Sequence, residues 1–217
     1  MVRSIVVVAA GLSVPSSTRL LADLLGDAVE RAVAARGEEV EVEVVELRPL
    51  AHALADHLLT GFPTGELAEA IDKVVRADAL VVVTPVFAGS YSGLFKTFFD
   101  VLDLGALEGK PVLVGATAGT ARHSLVLDHA LRPLFAYLRA LVVPTGVFAA
   151  SEDFGAGGLD GGLRKRADRA ATELVALLGC SGQTTVHAPR RRPVGEEMAE
   201  VTPFEQLLRE AGGDSVR

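Results

Sequence analysis

The sequence predicts an α/β fold, a doubly wound parallel sheet of five strands with helices packed on both of its faces. Three observations carry that expectation. β-Rich runs such as IVVVAA within SIVVVAA, ALVVV and PVLVGA are continuously apolar, which a strand requires only when both faces of its sheet are covered. Stretches with apolar residues at helical spacing separate these runs. The two kinds alternate along residues 4–178, and such alternation closes into a parallel sheet through right-handed crossovers.

Residues 4–10 (SIVVVAA) are expected to form the first central strand. After the polar loop GLSVPSST, a helix is expected through Leu20, Leu21, Leu24, Leu25, Ala28, Ala32 and Val33, ending near Gly37. Residues 39–47 (EVEVEVVEL) alternate charged with apolar side chains, the pattern of a strand with one wet face near a sheet edge. Residues 48–63 are mixed and read as a loop with room for a short helix. Leu67, Ile71, Val74 and Val75 mark a helix, followed by a strand at residues 79–83, a loop, and a helix through Leu94, Phe95, Phe98, Phe99 and Leu102. A strand at 111–116, a loop TAGTARHS, a helix through Leu127, Leu131, Leu134, Phe135 and Leu138, a strand at 141–149 and a helix at about 159–178 complete the set. Five strands in this pattern suggest the flavodoxin-like order 2-1-3-4-5, in which ligands sit beyond the carboxyl ends of the strands where the order reverses. The loops after the first, third and fourth strands should therefore converge.

From Gly179 the chain turns polar (QTTVHAPRRRPVGEE), so the expected organisation is one domain at 1–179 and a tail at 180–217. Within the tail, Thr202, Pro203, Phe204 and Glu205 make a capping box with proline at the first helical position. Phe204, Leu207, Leu208 and Ala211 give the short helix an apolar stripe that it cannot stabilise alone. The tail either docks on a neighbouring subunit or partner protein, or stays unstructured.

A formal net charge of −7 argues against nonspecific binding of nucleic acid or anionic membranes and favours small-molecule or protein partners. The single cysteine, Cys180, excludes an intrachain disulfide and a cysteine-based zinc site, and fits a reducing cytoplasm. MVRSIVVVAAG is too short in its apolar run for a secretory segment, and no run approaches the eighteen or so apolar residues of a membrane span. His52 and His57 lie five apart, which is wrong for one helical face, and no H-E-x-x-H motif occurs, so no metal centre is expected. No Ser-His-Asp or Cys-His arrangement stands out either.

The chemistry is expected in the three converging loops. GLSVPSSTR, residues 11–19, places Ser13, Ser16, Ser17, Thr18 and Arg19 between a buried strand and a helix start. Free amides and the positive end of the helix dipole, with short hydroxyl side chains beside them, make a seat for a phosphate. The competing reading is that Ser17 or Thr18 only caps the helix. The loop is neither a Walker A sequence nor a G-x-G-x-x-G fingerprint, which favours a mononucleotide such as FMN. The second loop, TPVFAGSYSG, combines Pro85 with Gly89 and Gly93, which allow backbone to lie against the polar edge of a planar ring. Phe87 or Tyr91 could pack on that ring, or Phe87 could be plain core. The third loop, TAGTARHS, offers more hydroxyls and a glycine for the far side of the ring.

TPVFAGSYSGLFKTFFD followed by GKPVLVGATAGTARHSLVLDHALRPLFAYLRA resembles the NAD(P)H-dependent FMN reductases, in particular the branch that partners two-component luciferase-like monooxygenases of the alkanesulfonate type. The likeness extends over about residues 4–179. It implies hydride transfer from NADPH or NADH to FMN and delivery of reduced FMN to a separate monooxygenase. It implies phosphate contacts at Ser13, Ser16, Ser17, Thr18 and Arg19, and ring contacts at Pro85, Val86, Phe87, Ala88, Gly89, Ser90, Thr117, Ala118, Gly119 and Thr120. The cofactor carries such chemistry, so no catalytic side chain is required.

The resemblance also implies a homodimer or homotetramer in which the helix carrying Asp128, His129 and Ala130 lies near an interface and the flavin. His129 stands where some relatives have tyrosine and could introduce a π-bulge, the alternative being an ordinary surface or interface histidine. Val14 and Pro15 depart from the longer, arginine-bearing first loop of many relatives. Two other functions fit the fold. A quinone or azo reductase would retain its FMN. A flavodoxin-type electron carrier would generally show a T-x-T-G-x-T-like loop and aromatics on both ring faces, whereas this chain has no Trp and only Tyr91 and Tyr137.

Overall fold

The computed structural model of the chain describes residues 2–154 and 162–180, all within one compact unit, Met1–Gln183. The tail helix expected around residues 202–211 lies outside the described residues. Strands β1 (Arg3–Ala9), β2 (Val40–Glu46), β3 (Ala79–Phe87), β5 (Pro111–Ala118), β6 (Leu141–Val142) and β7 (Val147–Ala150) are all parallel to their neighbours, and the two-residue β4 (Ser90–Tyr91) folds back antiparallel on β3. The order is β2-β1-β3-β5-β6, with β7 also on β5. β6 and β7 are one fifth strand broken in two, so the backbone of the sheet has the expected 2-1-3-4-5 order and β4 is an addition to it. Helices α1 (Ser17–Ala34), α2 (Ala51–Thr60), α3 (Gly65–Arg76), α4 (Gly93–Asp100), α5 (Arg132–Tyr137) and α6 (Gly162–Cys180) cover both faces.

Alternate residues of each strand enter opposite cores, as the two-residue period of a strand dictates. Val6, Val8, Leu80, Val82, Val112 and Val114 meet Phe95, Phe98, Phe99 and Phe135 on one side. Ile5, Val7, Ala9, Val81, Val83 and Leu113 meet Leu21, Leu25, Val29 and Leu174 on the other. β2 keeps one wet face at the sheet edge, where Lys73 of α3 pairs with Glu43. Gly115 lets α1 approach β5, since a Cβ there would stand 3.1 Å from Leu25 Cδ1, and this close approach brings the start of α1 to the end of the sheet.

Three expectations are corrected. Residues 48–63 hold a full helix, α2, stopped by Gly61 at φ 79°. β3 does not end at Val83 but runs through Pro85 to Phe87. Pro85 is tolerated because β1 pairs with β3 only as far as Ala9 opposite Val83, so no neighbour asks for the missing amide on that side. The fifth strand breaks around Pro144, where Arg132 donates to the carbonyls of Val143 (2.9 Å) and Pro144. The π-bulge offered as one reading of His129 is present: Leu127–Leu131 form a π turn that contains His129 and leads into α5. Among the described residues no helix is long and apolar enough to cross a membrane, and no group of His, Cys, Asp or Glu could hold a metal ion.

Lys110 sits at the start of β5 and donates to the carbonyls of Val75 (3.0 Å) and Ala77, capping the negative end of α3. Burial pushes its ammonium down to about 8 from the ordinary 10.5, with Asp78 opposing the shift. Between those two pH values the unfolded chain binds more protons than the folded one, so this group makes stability rise with pH across that window. Denaturant midpoints measured from pH 7.5 to about 10.5 should rise more steeply for the wild type than for Lys110→Met; parallel curves would remove Lys110 as the cause.

Candidate functional site

A cavity of about 390 Å³ opens where the carboxyl ends of β1, β3 and β5 meet, lined by Leu12, Ser13, Ser17, Thr18, Pro85, Val86, Phe87, Thr117, Ala118, Gly119 and Ser151. The three loops expected to converge do so. A hydrogen bond of 2.8 Å between the Thr18 and Thr117 hydroxyls, each residue only 2% exposed, ties the first loop to the third.

The first loop turns back tightly on itself. A Cβ at Gly11 would fall 2.1 Å from Ser16 Oγ, so any larger residue there would displace the Ser16 hydroxyl from its place. Ser16 is the helix cap, accepting the Arg19 amide at 3.2 Å, which is neither of the two residues expected to cap. Capping uses the Ser16 side chain, while Leu20 N–H takes the Ser16 carbonyl. The amides of Ser17 and Thr18, the first two of α1, are left without intrahelical acceptors. Ser13 and Ser17 are exposed at the cavity. Arg19 points its charge elsewhere: Nε meets Asp23 at 2.7 Å and a terminal nitrogen meets Glu46 of β2 at 3.2 Å. The Asp23 hydrogen bond leads the causes that raise the guanidinium above its ordinary value. The Val14–Pro15 peptide is cis.

The second loop is a two-residue hairpin. Val86 pairs with Tyr91 and Phe87 with Ser90, leaving Ala88 (φ 49°) and Gly89 (φ 79°) as a turn with both central residues left-handed, the form whose twist matches that of its strands. Gly93, also expected to supply such freedom, is instead the first residue of α4. Buried Thr84 locks the hairpin base: its hydroxyl accepts the Ser92 amide (3.0 Å) and lies 3.0 Å from the Pro85 carbonyl, while Ser92 caps α4 by accepting the Phe95 amide at 3.2 Å. Phe87 is 49% exposed at the cavity mouth and is therefore not core. Tyr91 packs inward on Phe95, ring centroids 5.9 Å apart.

Of the residues singled out in the sequence, Ser13, Ser17, Thr18, Pro85, Val86, Phe87, Thr117, Ala118 and Gly119 line the cavity. Ser16, Arg19, Ala88 and Thr120 do not, and Thr120 instead accepts the Arg122 amide at 3.2 Å, capping a 3-10 turn at Ala121–His123. Gly89 and Ser90 line a second cavity, of about 260 Å³, with Arg122, His123, Leu125, Val126, His129 and Ala130. Leu12 and Ser151 were missed. Ser151 follows β7, so the rule that ligands lie beyond strand ends would have found it.

Among the described residues, no acid, base or thiol lines the first cavity. It offers hydroxyls and helix-start amides at one end and apolar surface, backbone and glycine at the other, a donor set that fits a flat molecule bearing a phosphate. Gly119 leaves open space where a side chain would stand.

Residues 3–155 match the family of NADPH-dependent FMN reductases. The chain is 41% identical over 152 residues to an FMN reductase (NADPH) of Pseudomonas aeruginosa, covering 69% of this chain and 78% of that one. It is 40% identical over 155 residues to the NADH-dependent FMN reductase SfnE of Pseudomonas putida, with the same two coverages, 69% and 78%. An oxidoreductase from Corynebacterium diphtheriae, solved by X-ray crystallography, superposes with a TM-score of 0.78 at 53% identity, over 82% of this chain and 97% of that one.

Proposed function

The chain belongs to the NADPH-dependent FMN reductase family and is an NAD(P)H:FMN oxidoreductase, and from that premise we propose that the cavity at the ends of β1, β3 and β5 is where FMN is held for reduction. One observation carries the reading: every described residue lining that cavity, from Leu12 to Ser151, falls inside the matched stretch 3–155. FMN, when bound, supplies the capacity to accept hydride from NADPH or NADH. The protein supplies position and polarity. Ser13, Ser17 and the free amides of α1 take the phosphate, and the Thr18–Thr117 bond holds that end of the cavity to the other. The hairpin presents backbone and the exposed Phe87 to the ring, and preorganised amides there favour the negative charge that reduction creates.

Release of reduced FMN to a separate luciferase-like monooxygenase is the destination the TPVFAGSYSG block supports, in a cytoplasmic homodimer or homotetramer whose reductase domain is 1–179 and whose tail is 180–217. The test is steady-state oxidation of NADH and NADPH by the purified protein with and without free FMN. Oxidation with at least one nucleotide should appear on FMN addition; none above background with either ends the reductase reading. Flavin that copurifies and passes electrons to a quinone without leaving would favour the quinone reductase instead.

A further inference from the structure

We propose that the second cavity is the seat for a phosphate of the nicotinamide nucleotide, with Arg122 as its main ligand and His123 and His129 beside it. The proposal rests on the assignment of the first cavity to FMN. The two cavities share two walls: the β3–β4 hairpin, which gives Phe87 to one and Gly89 and Ser90 to the other, and the segment after β5, which gives Gly119 to one and Arg122 and His123 to the other. A dinucleotide whose nicotinamide lies over a ring in the first cavity has its remaining length to place, and the neighbouring cavity is across one turn of backbone.

The chemistry of that neighbour suits a phosphate. Among the described residues its lining holds one guanidinium, two imidazoles and no carboxylate, on a chain whose net charge is −7. Asp128, adjacent to His129 in sequence, is occupied by Arg132 at 2.9 Å. Arg31, Arg76, Arg132, Arg139, Arg166 and Arg169 are held in ion pairs, whereas among the described residues Arg122 takes part in none, as is also true of Arg36, Arg48 and Arg164, which do not line this cavity. An unpaired guanidinium keeps its fork of donors for a phosphate at little cost in broken contacts. The turn that carries Arg122 is built rather than loose, because Thr120 caps it, and Leu125 accepts the amides of Asp128 (3.1 Å) and His129 (3.0 Å) as the π turn begins.

The nucleotide offers two phosphate sources, the pyrophosphate common to NADH and NADPH and the 2′-phosphate of NADPH alone. The experiment compares wild type, Arg122→Ala and Arg122→Lys with NADPH, NADH and N-benzyl-dihydronicotinamide, a hydride donor without phosphate, and measures FMN affinity in parallel. Arg122→Ala should lower kcat/KM for NADPH, relative to the phosphate-free donor, by about ten- to a hundredfold through KM, with Arg122→Lys between the two. An equal fall for NADH assigns the pyrophosphate, and a fall for NADPH alone assigns the 2′-phosphate; both uphold the seat. Equal losses with the phosphate-free donor, unchanged KM for both nucleotides, or a loss confined to FMN affinity would overturn it. A wild-type protein that oxidises neither nucleotide removes the reductase reading and this proposal together, whereas an active wild type with an indifferent Arg122→Ala removes this proposal alone.

Discussion

Phe95→Ala is expected to lower the stability of the fold by about 3–5 kcal/mol, the largest effect of any single substitution considered. Phe95 is fully buried, and its ring meets Tyr91 at 5.9 Å, Phe99 at 4.7 Å and Phe135 at 6.2 Å between centroids. Those contacts join the hairpin, α4 and α5, three elements from separate stretches of chain, so the void cannot close by the shift of one neighbour. Tyr91 would lose its support, and FMN affinity should fall with stability. Denaturant midpoints, with the slope checked for constancy, measure the first effect; a loss under about 1 kcal/mol would mean that the aromatic cluster repacks and does not organise the site.

Ser13→Ala combined with Ser17→Ala is expected to weaken FMN binding by at least ten- to a hundredfold, since hydrogen bonds to a charged group contribute about 1.5–3 kcal/mol each, while riboflavin binding barely changes. Thr18, the obvious choice from sequence, is a poor probe because its hydroxyl is committed to Thr117 in a buried pair. Ser16→Ala provides the control. It removes a cap worth about 1 kcal/mol, so it should move the denaturation midpoint and affect both flavins alike. If Ser16→Ala discriminates between FMN and riboflavin and the double variant does not, the phosphate lies elsewhere.

The central strands were legible because a strand covered on both faces must be apolar throughout, and Ile5–Ala9 and Ala79–Val83 are. The end of β3 was not, because Thr84 and Pro85 read as loop punctuation, and only the early end of β1 beside them makes a proline acceptable there. α2 escaped because Leu58 and Leu59 are exposed, 56% and 87%, so its apolar residues mark no single stripe. Within the first loop the cluster of hydroxyls announced a polar seat, but not which hydroxyl does what. That division depends on the tight turn at Gly11, which sets Ser16 on the helix end, and on Glu46, which reaches Arg19 from another strand. The second cavity could not be seen at all, because nothing in TAGTARHS shows that Arg122 will face Gly89 across a gap.

The β3–β4 turn also counts residues. With Ala88 and Gly89 alone between Phe87 and Ser90, its length sets the phase of everything downstream. Side chains change face at each step along a strand, so one inserted or deleted residue would swing Tyr91 off Phe95 and carry Ser92 away from Thr84, uncapping α4 in the same move. Spelling at position 88 is far freer: glycine, asparagine or aspartate all accept a left-handed backbone at least as well as alanine does. Natural variation in this hairpin should therefore run to substitutions and avoid gaps, and efforts to graft new ligand preference onto the scaffold should change the length of the first loop before touching this one.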